Sequence, residues 1–213
     1  MQTPHNHPAA TTRNLGRLGA ACGTIFAVAL TIANGNRQSA YASYRYIVAG
    51  IALVLFLPFL AYLCSLLRDA EPTRRWLSTT ALCAGIAGIA LKLVSGAPEV
   101  ALHRAHVADG TQLHNALQGI ADSATLISLY PLALLLTVVA LVSLRTSILP
   151  RWLAVGAAVA AVALAINGSA TTTDNVPALL LFALWTLAAS IILYRKASAE
   201  PSAVTPAYST ASV

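Results

Sequence analysis

Apolar residues fall in six long runs, at residues 18–34, 46–67, 80–97, 125–144, 152–167 and 177–194, and polar residues collect in the short segments between them. Runs of about 16 to 22 residues suit a hydrocarbon core of about 30 Å, which a helix crosses in about 20 residues at about 1.5 Å each. Each run is continuously apolar, without the period-two alternation of a barrel strand, so its backbone groups must pair within the segment, as a helix. The pattern predicts an all-α, polytopic membrane protein: a six-transmembrane-helix bundle over residues 16–196. The tails at 1–15 and 197–213 are too polar to offset the entropy of ordering and are expected to be disordered and cytoplasmic.

Composition agrees with that pattern. The 213 residues are 57% apolar and 9% charged, with a mean hydropathy of +0.71, against about 25% charged in a soluble domain. Six spans leave no length for a separate soluble domain.

Charge then sets the orientation. Of the thirteen Lys and Arg residues, nine fall in segments on one side: Arg13, Arg17, Arg68, Arg74, Arg75, Arg145, Arg151, Arg195 and Lys196. Arg37, Arg45 and Arg104 fall on the other, and Lys92 lies inside a span. Short basic loops stay cytoplasmic, so both termini are expected inside, in the cell membrane. The pI near 9.6 is thus a signature of topology and of attraction to anionic membrane lipid. No basic stripe of the kind that binds nucleic acid is present. Arg13 and Arg17 before an apolar run, with Ala40-Tyr41-Ala42 after it, also fit a cleaved leader, but the long polar stretch carrying Arg37 favours a retained helix.

Three features within the runs bear on packing. Small residues recur at helical spacing (Gly19 with Gly23, Ala84 with Gly88, Gly156 with Ala160, Ala157 with Ala161) and should face the bundle interior, because close backbone approach drives association in lipid. Pro58 and Pro131 lie within spans and are expected to kink them. Arg75-Trp76-Leu77 and Arg151-Trp152-Leu153 repeat one signature, either a duplicated hairpin or, the favoured reading, two interfacial anchors.

The loop after the third span carries the polar chemistry. Pro98, Glu99 and Gly110 predict a short outer helix over 98–109, with Thr111 capping a long fourth helix. Glu99, His103 and His106 would then share a helix side at i, i+4 and i+7, a spacing at which carboxylate and imidazole can hold a transition metal. Three loop histidines are equally ordinary polar surface. His5 and His7 in the tail carry no metal signal, and Cys22, Cys64 and Cys83 lack the spacing of a metal or redox motif.

Lys92 most needs a physical explanation. Counted from Ser78, it lies roughly 21 Å into the core, about 9 Å short of the outer surface. An ammonium at that depth is costly and is as a rule paired or functional. Asp122 is the preferred partner, with Glu99 competing. A functional reading adds Ser95, Ser123 and Tyr130 to Lys92 and Asp122 as an outward-facing pocket for an ion or small polar ligand, and a structural reading makes Lys92 a snorkelling tie between two helices. No nucleophile elbow, phosphate loop, dinucleotide fingerprint or paired carboxylates appear, so neither catalysis nor a cofactor is expected.

Leu91-Lys92-Leu93-Val94-Ser95-Gly96-Ala97, Asp122 ahead of Pro131, the turn Leu149-Pro150-Arg151-Trp152-Leu153 and the run Leu181-Phe182-Ala183-Leu184-Trp185 give the chain a further character. In these it resembles an uncharacterised family of six-helix integral membrane proteins of high-GC Gram-positive bacteria, over about two thirds of its length. The resemblance implies six helices with polar positions at Lys92 and Asp122, and no activity. Two functions stand open: a binding or transport protein for a small polar ligand or ion, and an accessory or scaffold protein acting through helix and lipid contacts.

Overall fold

The structure is a computed structural model and describes residues 8–35, 42–108, 110–169 and 176–199. The remaining parts of the tails, the candidate leader site at Ala40, and Arg37, Asp109 and Asp174 lie outside the described residues. Six helices follow one another: α1 (Pro8–Gly35), α2 (Ala42–Ala70), α3 (Arg75–Arg104), α4 (Gln112–Thr146), α5 (Arg151–Ser169) and α6 (Val176–Ala199). A 3-10 turn, Pro72–Arg74, joins α2 to α3. No strand occurs among the described residues. The protein is a helical membrane bundle.

Among the described residues, five of the helices, α2 to α6, are long and apolar enough to cross a membrane. In α1 the apolar part is the shorter Gly16–Ile32, while the helix itself reaches back to Pro8, into the segment expected to be disordered. Proline suits a first helical turn and Ala9 and Ala10 favour continuation, which accounts for the earlier start. Leu18, Ile25, Val54, Ile86, Leu134, Val159, Ile166 and Leu184 stand exposed on the outside, the belt that lipid would cover.

The helices form a closed ring in chain order, α1 against α2 and so on to α6 against α1, with α2 also crossing to α4. Inside it, all four phenylalanines of the chain meet. Phe26 lies 4.6 Å from Phe56 and 6.1 Å from Phe182 by ring centroid, and Phe56 lies 5.5 Å from Phe59. These are tilted and edge-on pairs, the geometry that ring quadrupoles favour.

Small residues let α1 into the ring. Gly16 and Gly19 lie against Tyr62 of α2, and Gly23 lies against Phe59 and Ser190. On α5, Ala157, Ala160 and Ala161 are buried, and the indole of Trp185 donates from Nε1 to Leu153 O at 3.0 Å. The small-residue faces therefore point inward, as their spacing predicted.

Most of the basic residues gather at one end. Glu71 in the α2–α3 connection lies 3.5 Å from Arg74 and 4.0 Å from Arg145 at the end of α4. Lys196 of α6 reaches Ile148 O in the α4–α5 connection at 3.5 Å, and Gly16, beside Arg17, packs on Tyr62, six residues before Arg68. Trp76 and Trp152 stand exposed at the same end, at the first turns of α3 and α5, where indoles serve as interfacial anchors.

One expected element is corrected. The separate outer helix over 98–109 does not form: α3 runs unbroken through Pro98 to Arg104. Proline removes a single backbone bond, and the helix bonds on either side persist. The stop comes later, where Val107 N donates to Leu102 O at 3.3 Å and His106 adopts φ 48°. That is a left-handed helix terminus with histidine in the position glycine usually takes. Gly110, at φ 80°, completes the turn, and Thr111 caps α4 as expected, accepting from His114 N at 3.2 Å.

A Cβ at position 23 would collide with Ser190 Oγ and the Phe59 ring, whereas one at position 50 meets nothing within 4 Å. Gly23→Ala is expected to destabilise the folded protein by about 1–3 kcal/mol, and Gly50→Ala to leave it unchanged or slightly more stable. Denaturant unfolding in detergent measures both, and equal behaviour of the two variants would refute the packing argument for α1.

Candidate functional site

Lys92 sits on α3 where the helix faces both the ring's interior and α4. Its Nζ donates to Thr125 Oγ1 of α4 at 3.0 Å, and it makes further interactions besides this one. The backbone around it is tightened by Ser95, 5% exposed, whose hydroxyl donates to Lys92 O at 2.7 Å. Facing it on α4, the fully buried Ser128 hydroxyl donates to Thr125 O at 2.6 Å.

The relative heights of these groups show which way the lysine leans. Gly88, one turn before Lys92, packs on Leu132 of the antiparallel α4. From that contact Lys92 lies four residues on, roughly 6 Å, while Thr125 lies seven residues away, roughly 10 Å. The stem therefore inclines by several ångströms away from the basic end, the direction expected of a snorkelling lysine.

Thr125 is unusual among the helix threonines. Thr31, Thr79, Thr80, Thr137, Thr146 and Thr186 each donate to the carbonyl four residues back at 2.8–3.2 Å, and Thr24 does so at 3.5 Å. Among the described residues Thr125 shows no such bond; its oxygen accepts from Lys92.

The aliphatic stem of Lys92 also lines a cavity inside the ring, whose walls expose apolar atoms alone. The cavity is bounded by Phe26 and Leu30 of α1, Leu53 and Phe56 of α2, Gly88 and Ile89 of α3, Leu132 of α4, and Leu179 and Phe182 of α6. Its volume, traced by the centre of a water-sized sphere, is ≈ 20 Å³, against about 10–15 Å³ needed for one water. It lies where α1 faces α3 and α6 faces α4, pairs without substantial mutual contact among the described residues.

The expected pocket residues divide by helix face. Asp122 stands three residues before Thr125, about 60° around the helix, and accepts from Gln118 Nε2 at 3.4 Å. Ser123 is about 160° from Thr125 and exposed, and Tyr130 is about 140° away. The Tyr130 hydroxyl instead meets Ser169 Oγ of α5 at 3.1 Å, with its ring beside Gly168. The structure thus brings together Lys92 and Ser95 with Thr125 and Ser128, keeps Asp122 near the same face, and directs Ser123 and Tyr130 elsewhere.

Glu99 continues along α3, seven residues beyond Lys92. The single helix side expected for Glu99, His103 and His106 is not realised, because α3 ends at Arg104 and His106 follows in the left-handed turn. The His103 side chain lies outside the described residues. Among those that are described, no three His, Cys, Asp or Glu side chains group as metal ligands.

No family model, curated protein or solved structure matches the chain.

If the Lys92 to Thr125 bond holds α3 to α4, Lys92→Met and Thr125→Val should each cost about 1–3 kcal/mol, with a coupling of at least about 0.5 kcal/mol in the double variant. Strictly additive losses in detergent unfolding would show that the bond carries no stability.

Proposed function

We propose that this is a ligand-binding protein of the cell membrane that takes a small polar ligand or ion into the half of the bundle opposite the basic end. One observation carries the reading: an ionisable side chain, Lys92, stands within a membrane span, with its aliphatic stem lining a cavity of the ring and its ammonium reaching Thr125 of α4. Intramembrane ionisable groups are costly and face cavities or partners that use them. The reading assigns Lys92 as the ligand's charge partner, with Thr125 and Ser95 fixing its position. Asp122 and Glu99 lie on the approach. No catalytic step is included.

The gathering of Arg17, Arg68, Arg74, Arg75, Arg145, Arg151, Arg195 and Lys196 at one end supports cytoplasmic termini by the positive-inside rule. It would place the Lys92 cavity in the outer half. The resemblance to six-helix proteins of Gram-positive bacteria fits this placement and supplies no ligand of its own.

A second reading has its own support. The 3.0 Å bond to Thr125 and the small size of the cavity suit a lysine that only ties α3 to α4, within an accessory or scaffold protein contacting lipid and partner helices. Complementation separates the two. In a deletion strain, wild-type protein should restore the lost phenotype, while Lys92→Met at equal membrane abundance should not. Full restoration by Lys92→Met would remove the binding reading and leave the scaffold. For topology, a fluorescent protein fused after Val213 should fold and fluoresce, and alkaline phosphatase fused there should be inactive; the reverse pair would invert the orientation.

A further inference from the structure

Two half-exposed arginines from different parts of the chain converge on one carboxylate at the basic end. Glu71 Oε1 lies 3.5 Å from Nε of Arg74 and 4.0 Å from a terminal nitrogen of Arg145. The glutamate side chain is 14% exposed, whereas those of Arg74 and Arg145 are 50% and 47% exposed, so the carboxylate lies behind the guanidiniums and orders them from within. A guanidinium carries five N–H donors in a planar fork. Each of these two gives one nitrogen to Glu71, which leaves both terminal nitrogens of Arg74 and the second of Arg145 outside that contact. Charge at the site stays positive, because Arg68, Arg74, Arg75 and Arg145 stand against Asp69 and Glu71 alone.

We propose that Arg74 and Arg145 together hold the phosphodiester of one anionic phospholipid in the leaflet at the basic end. Both guanidiniums touch the same carboxylate oxygen, so they stand close enough for one phosphate group to span them, and their planar forks match its oxygens. The surface beside them selects a lipid over a free phosphate. Trp76, 63% exposed, follows Arg74 by two residues, and Leu144, 51% exposed, immediately precedes Arg145. Cationic forks thus border an indole and an aliphatic side chain on the side of the apolar runs, which suits a head group joined to acyl chains at the interface. Arg68 braces the site, its Nε donating to the buried Ser78 Oγ at 3.5 Å. The proposal is independent of the binding reading given to Lys92, which lies on the other side of Leu77 and Ser78 along α3.

The test follows thermal unfolding of the full-length protein in nonionic detergent at fixed ionic strength, as phosphatidylglycerol, phosphatidylcholine of the same acyl chains, or inorganic phosphate is added. Binding to the folded state raises the unfolding temperature in a saturable way. Phosphatidylglycerol should do so, and the other two should not. Arg74→Gln and Arg145→Gln should each raise the apparent dissociation constant for phosphatidylglycerol about tenfold, by removing a bond to a charged acceptor. Arg195→Gln, at an exposed arginine of the same end on α6, should leave it unchanged. Arg145→Lys keeps the charge and serves where a glutamine variant does not fold; loss of the planar fork should still weaken binding several-fold. Equal effects of the two lipids would overturn the proposal. So would a saturable rise with inorganic phosphate, which would assign the arginines to a soluble anion. Equal losses in the Arg74, Arg145 and Arg195 variants, or an unchanged dissociation constant in Arg145→Lys, would overturn it as well and leave only general attraction between a basic end and an anionic surface.

Discussion

Close backbone approach at α1 is the constraint on which the ring depends. In lipid, apolar side chains gain little by leaving their surroundings, so helices associate through packing and short contacts rather than hydrophobic exclusion. The apolar run of α1, residues 18–34, is among the shorter of the six. It holds its place through Gly16, Gly19 and Gly23, which let α1 settle on Tyr62, Phe59 and Ser190. With α1 seated between α2 and α6 the ring closes, and Phe26 is delivered to Phe56 and Phe182. Those rings form part of the cavity wall. A helix with larger residues on that face would stand off from its neighbours and leave the interior open.

A second constraint acts at Lys92. Its depth makes exposure to hydrocarbon costly, and the compensations include an inclined stem that carries the ammonium away from the membrane centre and a threonine oxygen that accepts a hydrogen bond from it. Both depend on α3 and α4 being close, which Gly88 permits by admitting Leu132. The packing glycine and the charged residue are one helical turn apart on α3, so helix contact and charge placement are set by the same surface.

Much of this was legible in the sequence. Run length and charge asymmetry identified six helices and the end where the bases gather, and small-residue spacing identified the inward faces. Gly110 and Thr111 located the start of α4 because each has a local physical role, a left-handed turn and a cap. Pro98 misled, since a proline signals one missing bond and not a helix end, while the actual stop used His106 in a conformation that the sequence does not advertise. At the site, the depth of Lys92 was readable but its neighbour was not. Asp122, Ser123, Thr125 and Tyr130 lie within about 12 Å along α4, and choosing among them requires the rotation of α4 about its axis. That rotation comes from packing of Gly88 on Leu132, a long-range contact. The meeting of four phenylalanines from α1, α2 and α6 was invisible for the same reason.

The rotation of α4 also decides what kind of interior the protein has. Had Asp122, Ser123 and Tyr130 faced Lys92 together, the pocket would hold acceptors and donors of both signs, suited to a polar or zwitterionic ligand. With Tyr130 turned to Ser169 and Ser123 turned outward, the polar groups identified at the Lys92 contact are hydroxyls and the ammonium, set against hydrocarbon and phenyl rings. A hydrocarbon cavity strengthens any charge interaction inside it, because the local dielectric is low. It equally penalises an ion that leaves part of its hydration unreplaced. A polar pocket would tolerate many polar ligands, whereas an apolar-walled one admits a polar group only at the cost of its hydration.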